Sequence, residues 1–171
     1  FYLAIGAQGG RRAGVGGEDA EGVSTAVDFL RCALDDPNHE VKGATVVIGG
    51  GNVAIDAARV SVRCGSDDVS MFCLEARDEM PALPEEVSEA EEDGVHVNCG
   101  WGPASIQVDE SGHVSGVTFK RCTSVFDYDH RFAPTYDESE TVFVPCTNVV
   151  LSIGQSIEWG DLLAGSAVEL G

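Results

Sequence analysis

Residues 44–58 read ATVVIGGGNVAIDAA. Ala44, Val46, Val47 and Ile48 form a short apolar run rich in β-branched residues, with little polarity on either face. A central parallel strand covered on both faces has this pattern. Gly49, Gly51 and Ala54 then fill a G-x-G-x-x-(G/A) spacing. Gly49 lets the chain turn sharply out of the strand, and Gly51 leaves the backbone open to a pyrophosphate. Ala54 is small enough for the following helix to lie close to the strand. The start of that helix offers free N–H groups and a positive dipole end to phosphates.

A glycine-rich turn alone is common, so its surroundings decide its meaning. Asn52 to Cys64 contains no Gly or Pro and is rich in alanine, with Gly65 placed to end a helix. Val69 to Leu74 (VSMFCL) predicts the next strand, and it closes on Glu75, 24 positions beyond Gly51. A carboxylate there can accept both hydroxyl hydrogens of an adenosine ribose. An ordinary βαβ unit without a ligand is the alternative. The strand, helix and acidic residue together weigh against it.

The length of 171 residues fits one domain with a sizeable core. Ten basic residues against 29 acidic ones give a formal charge of −19. Nucleic acid and anionic membranes both require basic surface, so neither is expected as a partner. A nucleotide needs only a local positive site. No apolar run reaches membrane-spanning length and no signal-peptide pattern is present. Cys32, Cys64, Cys73, Cys99, Cys122 and Cys146 stand singly, without a C-x-x-C pair, which argues against a zinc or iron–sulfur site within the chain. Several lie in apolar contexts, as buried thiols of a cytoplasmic protein do. The chain opens at Phe1 in an apolar run without an initiator methionine, and a piece of a larger protein is the expectation.

Phe1 to Ile5 predicts a short strand, and Gly6 to Gly22 an irregular connection. Arg11 and Arg12 within it fit either an anion contact or a solvated loop. Ser24 is placed as an N-cap before a helix carrying Val27, Leu30, Ala33 and Leu34. Beyond Glu75, Pro81 and Pro84 bracket a turn, Glu85 to Asp93 reads as an acidic helix closed by Gly94, and Val95 to Asn98 as a third parallel strand. From Trp101 the period changes to alternation. Ser105–Val108, Val114–Arg121, Thr141–Val144 and Asn148–Ile153 read as a β-meander or hairpin beside the parallel sheet, with Ser124 to Glu140 as a long polar excursion. Gly154 and Gln155 follow the last strand, and strand C-termini line the ligand crevice in such folds. The fold class is therefore α/β: a Rossmann-like parallel sheet with helices on both faces plus a β-meander or hairpin. The four histidines are scattered, and no nucleophile elbow or P-loop lysine is present.

AIGAQ (4–8), DFLR (28–31), VVIGGGNVAIDAAR (46–59), EARDEMPA (75–82) and SIGQ (152–155), in that order, resemble the small subunit of glutamate synthase and related flavin-containing, NAD(P)H-dependent oxidoreductases. The resemblance runs over nearly the whole chain. It implies an NAD(P)-binding domain at 41–155, inserted in an FAD domain. Residues 1–40 would hold the crossover segment from that domain plus a helix, and 156–171 the return. It further implies FAD and iron–sulfur clusters in the full-length protein, outside this chain, and a partner redox subunit. The isolated chain would then be inactive.

On that footing Gly49, Gly50, Gly51, Asn52 and Val53 form the pyrophosphate cradle and Ala54 the close helix–strand contact. Glu75 selects the ribose, Arg77 flanks the adenosine, and Gly154 and Gln155 close the nicotinamide side. Many NADPH-using members carry Tyr-Arg-Arg where this chain has Cys73-Leu74-Glu75. A carboxylate in place of the phosphate-clasping arginines repels a 2′-phosphate, so NADH is expected over NADPH. Arg77, two residues on, keeps a phosphate contact open. Asp56 lies one helical turn past Asn52, as a support for the loop or a surface carboxylate. No protein acid or base is needed, because the cofactors carry hydride chemistry. A stand-alone NAD-sensing module and a methyltransferase with the same layout are the rival readings.

Overall fold

The computed structural model describes residues 4–166. Its centre is a five-stranded, all-parallel sheet in the order β2 (Val23–Thr25), β9 (Asn148–Leu151), β3 (Ala44–Ile48), β4 (Asp68–Cys73), β5 (His96–Cys99). The apolar run of β3 lies in its middle, where both faces are covered. Val47, Val69, Met71 and Val150 turn to one face and pack with α1 (Ala26–Asp35), α2 (Asn52–Arg63) and α3 (Pro84–Glu92). Their neighbours Val46, Ile48, Phe72, Val149 and Leu151 turn to the other face. There they meet an antiparallel sheet of β6 (Trp101–Val108), β7 (Val114–Phe126) and β8 (Phe132–Pro145). Phe72 and Phe119 stack across this boundary, with centroids 4.0 Å apart and planes 11° from parallel.

The Rossmann-like sheet and the meander beside it agree with the sequence reading. Helices on both faces do not: among the described residues the three α-helices share one core, and the antiparallel sheet covers the opposite face. The alternation of β7 (Val117 and Phe119 inward) supplies the apolar face that takes the place of a helix there. Asn148–Ile153 also moves. Residues Asn148–Leu151 form β9, inserted between β2 and β3 in the parallel sheet, where Val149 and Val150 bury on opposite faces.

Ser124–Glu140 is no loop. Strand β7 runs to Phe126 and β8 begins at Phe132, paired from Phe126↔Phe132 down to Gly116↔Pro145. Asp127 makes the turn: its carboxylate accepts the N–H of Asp129 (2.8 Å) and Arg131 (2.9 Å), and His130 takes a φ of 56°. Strand β6 starts at Trp101, opposite Arg121. Everything beyond Arg121 is therefore a two-stranded ribbon overhanging the third strand. Polar residues on a ribbon exposed on most of its surface read as loop because neither face shows sustained apolar alternation.

Smaller shifts have local causes. The N-cap of α1 is Thr25, whose Oγ1 accepts the Asp28 N–H at 3.2 Å and donates to the Asp28 carboxylate at 2.7 Å, while Ser24 sits in β2 opposite Val150. Pro84 opens α3 at its first turn. Of the strand expected at Phe1–Ile5, Ala4 and Ile5 are irregular and Phe1–Leu3 lie outside the described residues. Within the irregular 6–22 connection, Gly9–Gly10 (β1) pairs antiparallel with Gln155–Ser156 (β10). Among the described residues, no helix is long and apolar enough to cross a membrane.

Candidate dinucleotide site

The C-terminal ends of β3, β4 and β9 open into a cavity of about 680 Å³. Its floor is the glycine turn. Gly49 leaves β3 with a φ of +147°, and its N–H donates to Phe72 O at 2.9 Å. A Cβ on Gly49 would stand 2.2 Å from Ser152 O, so β3 and β9 can approach only with glycine here. A Cβ on Gly50 would lie 2.8 Å from Glu75 Oε2, which places that carboxylate directly against the turn. On Gly51 a Cβ would meet nothing within 4 Å.

Gly51 is the N-cap of α2 and brings no capping side chain, and the helix has no acidic residue in its first turn. Its carbonyl accepts Ala54 N–H (2.9 Å) and Ile55 N–H (3.2 Å). The N–H groups of Asn52 and Val53 have no acceptor within the helix and sit at its positive end. Ala54 is fully buried against the sheet. An uncapped helix start, open space above Gly51 and a carboxylate one strand away fit a dinucleotide pyrophosphate and its ribose.

Gly49, Gly50, Gly51, Asn52, Val53, Glu75, Gly154 and Gln155 all line this cavity. The Asn52 side chain braces the site from outside: its Oδ1 accepts the Leu83 N–H at 2.9 Å, while Ala82 N–H donates to Gly50 O at 3.0 Å. These two bonds hold the Pro81–Pro84 turn against the glycine turn. Glu75 is fixed through its backbone, its carbonyl accepting Gly100 N–H at 2.9 Å. Gly154 O accepts the Arg11 N–H at 3.0 Å and so extends the pairing of β1 with β10.

The structure does not bring Arg77 to the cavity. Its guanidinium forms a two-pronged pair with Glu91 (2.8 and 2.6 Å), which raises its pKa, and it lines a separate cleft of about 340 Å³. A single-turn 3₁₀ helix at Arg77–Glu79 precedes α3, and the side chain reaches Glu91 there instead of the cavity. Asp56 is exposed on the outer face of α2.

Sequence reasoning missed the far wall. Trp101 and Pro103 of β6, and Phe132, Pro134 and Tyr136 of the ribbon, close the cavity opposite α2. The signal was the alternation Phe132-x-Pro134-x-Tyr136, hidden among polar neighbours. The Arg11–Arg12 pair divides. Both line the cavity, but Arg12 is bound to Glu18 (3.1 Å) and Asp19 (2.6 Å), chiefly the latter raising its pKa, whereas Arg11 lies beside Gly154.

A family model described as pyridine nucleotide-disulphide oxidoreductase matches residues 2–165. The chain belongs to the pyridine nucleotide-disulphide oxidoreductase family. It is 35% identical to the glutamate synthase [NADPH] small chain of Escherichia coli, across 99% of this chain and 38% of that protein. It is also 35% identical to the NADP(+)-dependent formate dehydrogenase subunit beta of Moorella thermoacetica, across 92% of this chain and 23% of that one. The chain thus spans less than two-fifths of these relatives, and the resemblance carried by the motifs stands. Among solved structures, Mycobacterium tuberculosis FprA in complex with NADPH superposes with a TM-score of 0.69 at 18% identity, over 89% of this chain and 49% of FprA. Lactococcus lactis thioredoxin reductase gives 0.63 at 18% identity, over 85% and 41%. At such identities the structures establish the shared fold.

Proposed function

We propose that this chain is the nicotinamide-dinucleotide-binding unit of a flavin-dependent oxidoreductase resembling the glutamate synthase small subunit. In this reading it holds NAD(P)H for hydride transfer to FAD in the same polypeptide, with onward electron transfer to iron–sulfur centres and a redox partner subunit. The observation that carries the reading is the open space over Gly51, flanked by the uncapped start of α2 and the Glu75 carboxylate. Residues 1–40 and 156–171 hold the passages from and to the FAD domain, and the antiparallel pairing of Gly9–Gly10 with Gln155–Ser156 supports two chain crossings side by side. The nicotinamide cofactor supplies the hydride. The protein binds the pyrophosphate through the Gly49–Val53 backbone and orients the ribose through Glu75.

The named cofactor of the E. coli and Moorella relatives is NADPH or NADP(+). For this chain the preference we assign is NADH, because a 2′-phosphate would come against the Glu75 carboxylate and the nearest downstream cation, Arg77, is paired with Glu91. Isothermal titration with NADH and NADPH at equal salt tests both parts. NADH should bind at least tenfold tighter, which corresponds to about 1.4 kcal/mol, and Glu75→Arg should reverse the order. Tighter NADPH binding by the native chain refutes the selector, and absence of binding to either nucleotide refutes the site.

A further inference from the structure

The ribbon that overhangs the antiparallel sheet has two unlike faces. Register shifts interrupt the regular pairing of β8 between Phe132 and Tyr136, yet Phe132, Pro134 and Tyr136 all line the dinucleotide cavity. Thr135 points the other way, its hydroxyl 2.9 Å from that of Thr123. Phe132 is 66% exposed although it lies on the cavity side. The ring meets its cross-strand neighbour Phe126 edge-on, with centroids 6.3 Å apart, and the surface it still exposes on the cavity side can take a flat apolar group.

Placement along the sheet identifies which end of the ligand this is. Tyr136 and Leu74 converge over Gly102: a Cβ there would be 2.5 Å from the Tyr136 ring and 2.8 Å from Leu74 Cδ2. Leu74 immediately precedes Glu75, so Tyr136 stands at the β4 end of the cavity, which Glu75 also lines. The nicotinamide side lies across β3, towards Ser152, Gly154 and Gln155. The Tyr136 ring is fixed from behind by Lys120 Nζ, 4.2 Å from its centroid. Trp101 is braced in the same way by Arg121 at 5.1 Å. Tyr136 to Phe132 spans about 13 Å of strand, long enough to flank a base together with its sugar.

We propose that the inner face of this ribbon is the adenine subsite: the base stacks against the wall formed by Phe132, Pro134 and Tyr136, opposite the glycine turn. The proposal rests on the dinucleotide reading above and deepens it. The acidic chain binds a polyanionic ligand with few cations at hand, and stacking supplies affinity that does not depend on charge. The subsite accordingly recognises the adenosine half in NADH and NADPH alike, leaving discrimination at the 2′ position to Glu75.

The test uses three probes by isothermal titration: NADH, ADP-ribose and nicotinamide mononucleotide. Phe132→Ala and Tyr136→Leu should each weaken NADH and ADP-ribose about tenfold, the scale of one lost base–aromatic stack, and leave the mononucleotide unchanged. Tyr128→Ala, at the fully exposed ribbon tip and off the cavity, should change nothing. Fluorescence of 1,N6-etheno-ADP should be quenched by the native chain and recover with Phe132→Ala. Phe132 is largely exposed, so its removal leaves the core intact, and an unchanged far-ultraviolet dichroism spectrum checks this. If the native chain binds NADH and ADP-ribose and both variants bind them equally well, the adenine wall is wrong while the dinucleotide site stands. If the native chain binds neither, the dinucleotide reading falls and the wall falls with it.

Discussion

The two walls of the cavity are built in opposite ways. The wall formed by the β3–α2 turn works through backbone: Gly49 and Gly51 matter for the atoms they lack. The wall formed by β6 and the β7–β8 ribbon works through side chains, with Trp101, Phe132 and Tyr136 supplying flat apolar surface. A backbone wall tolerates almost no substitution, because a single Cβ occupies the open space over the turn or that of a neighbouring strand. A side-chain wall tolerates most substitutions and tunes affinity. The two should therefore fail differently when mutated, in size and in what is lost.

The largest effect is expected at Gly49→Ala. The new methyl would be 2.2 Å from Ser152 O and the residue would keep a φ near +147°. Both the strand pair β3–β9 and the turn would have to shift, at a cost of roughly 3 kcal/mol or more. Thermal unfolding should show a large drop in midpoint, and nucleotide binding should vanish. A stable variant that still binds NADH would show that the turn is not the rigid half of the site.

This asymmetry also explains what could be read from the sequence. Gly49 and Ala54 are residue choices forced by local geometry, and Gly51 and Glu75 stand at fixed spacings from them, so spacing alone reports all four. The parallel sheet, its helices and the floor of the site follow from that one stretch. The other wall depends on register. That Trp101 faces Arg121, and that five residues of β7 from Cys122 onward run past the start of β6, is decided by long-range pairing and not by any local motif. The same holds for β9: its apolar run looks like one more meander strand until its hydrogen bonds with β2 and β3 are known. Arg77 is misread for a related reason. The sequence shows an arginine two residues past Glu75 but not Glu91, which captures it from α3, fourteen positions on.

Between the walls lies the joint that fixes their separation. Phe119, fully buried, stacks on Phe72 and couples the antiparallel sheet to β4. Phe119→Ala should cost about 3–5 kcal/mol in denaturant unfolding, since the cavity it leaves is enclosed by two sheets. A loss under about 1 kcal/mol, below the usual range for such a truncation, would mean that the two sheets are held together elsewhere.

The smallest effect sharpens the comparison most, because it falls on the one side-chain hydrogen bond found within the glycine wall among the described residues. Asn52 Oδ1 accepts the Leu83 N–H, and the β4–α3 connection leans on the turn through this bond and through Ala82 N–H to Gly50 O. Asn52→Ala removes the first and keeps the second. Stability should fall by about 1 kcal/mol, the usual worth of one such bond. If the glycine wall acts through backbone alone, NADH affinity should fall by less than about threefold, well short of one lost ligand contact, because the N–H of residue 52 remains at the helix start. A much larger loss of affinity with little change in stability would mean that the Asn52 amide itself contacts the ligand. The line between the backbone wall and the side-chain wall would then have to be redrawn through residue 52.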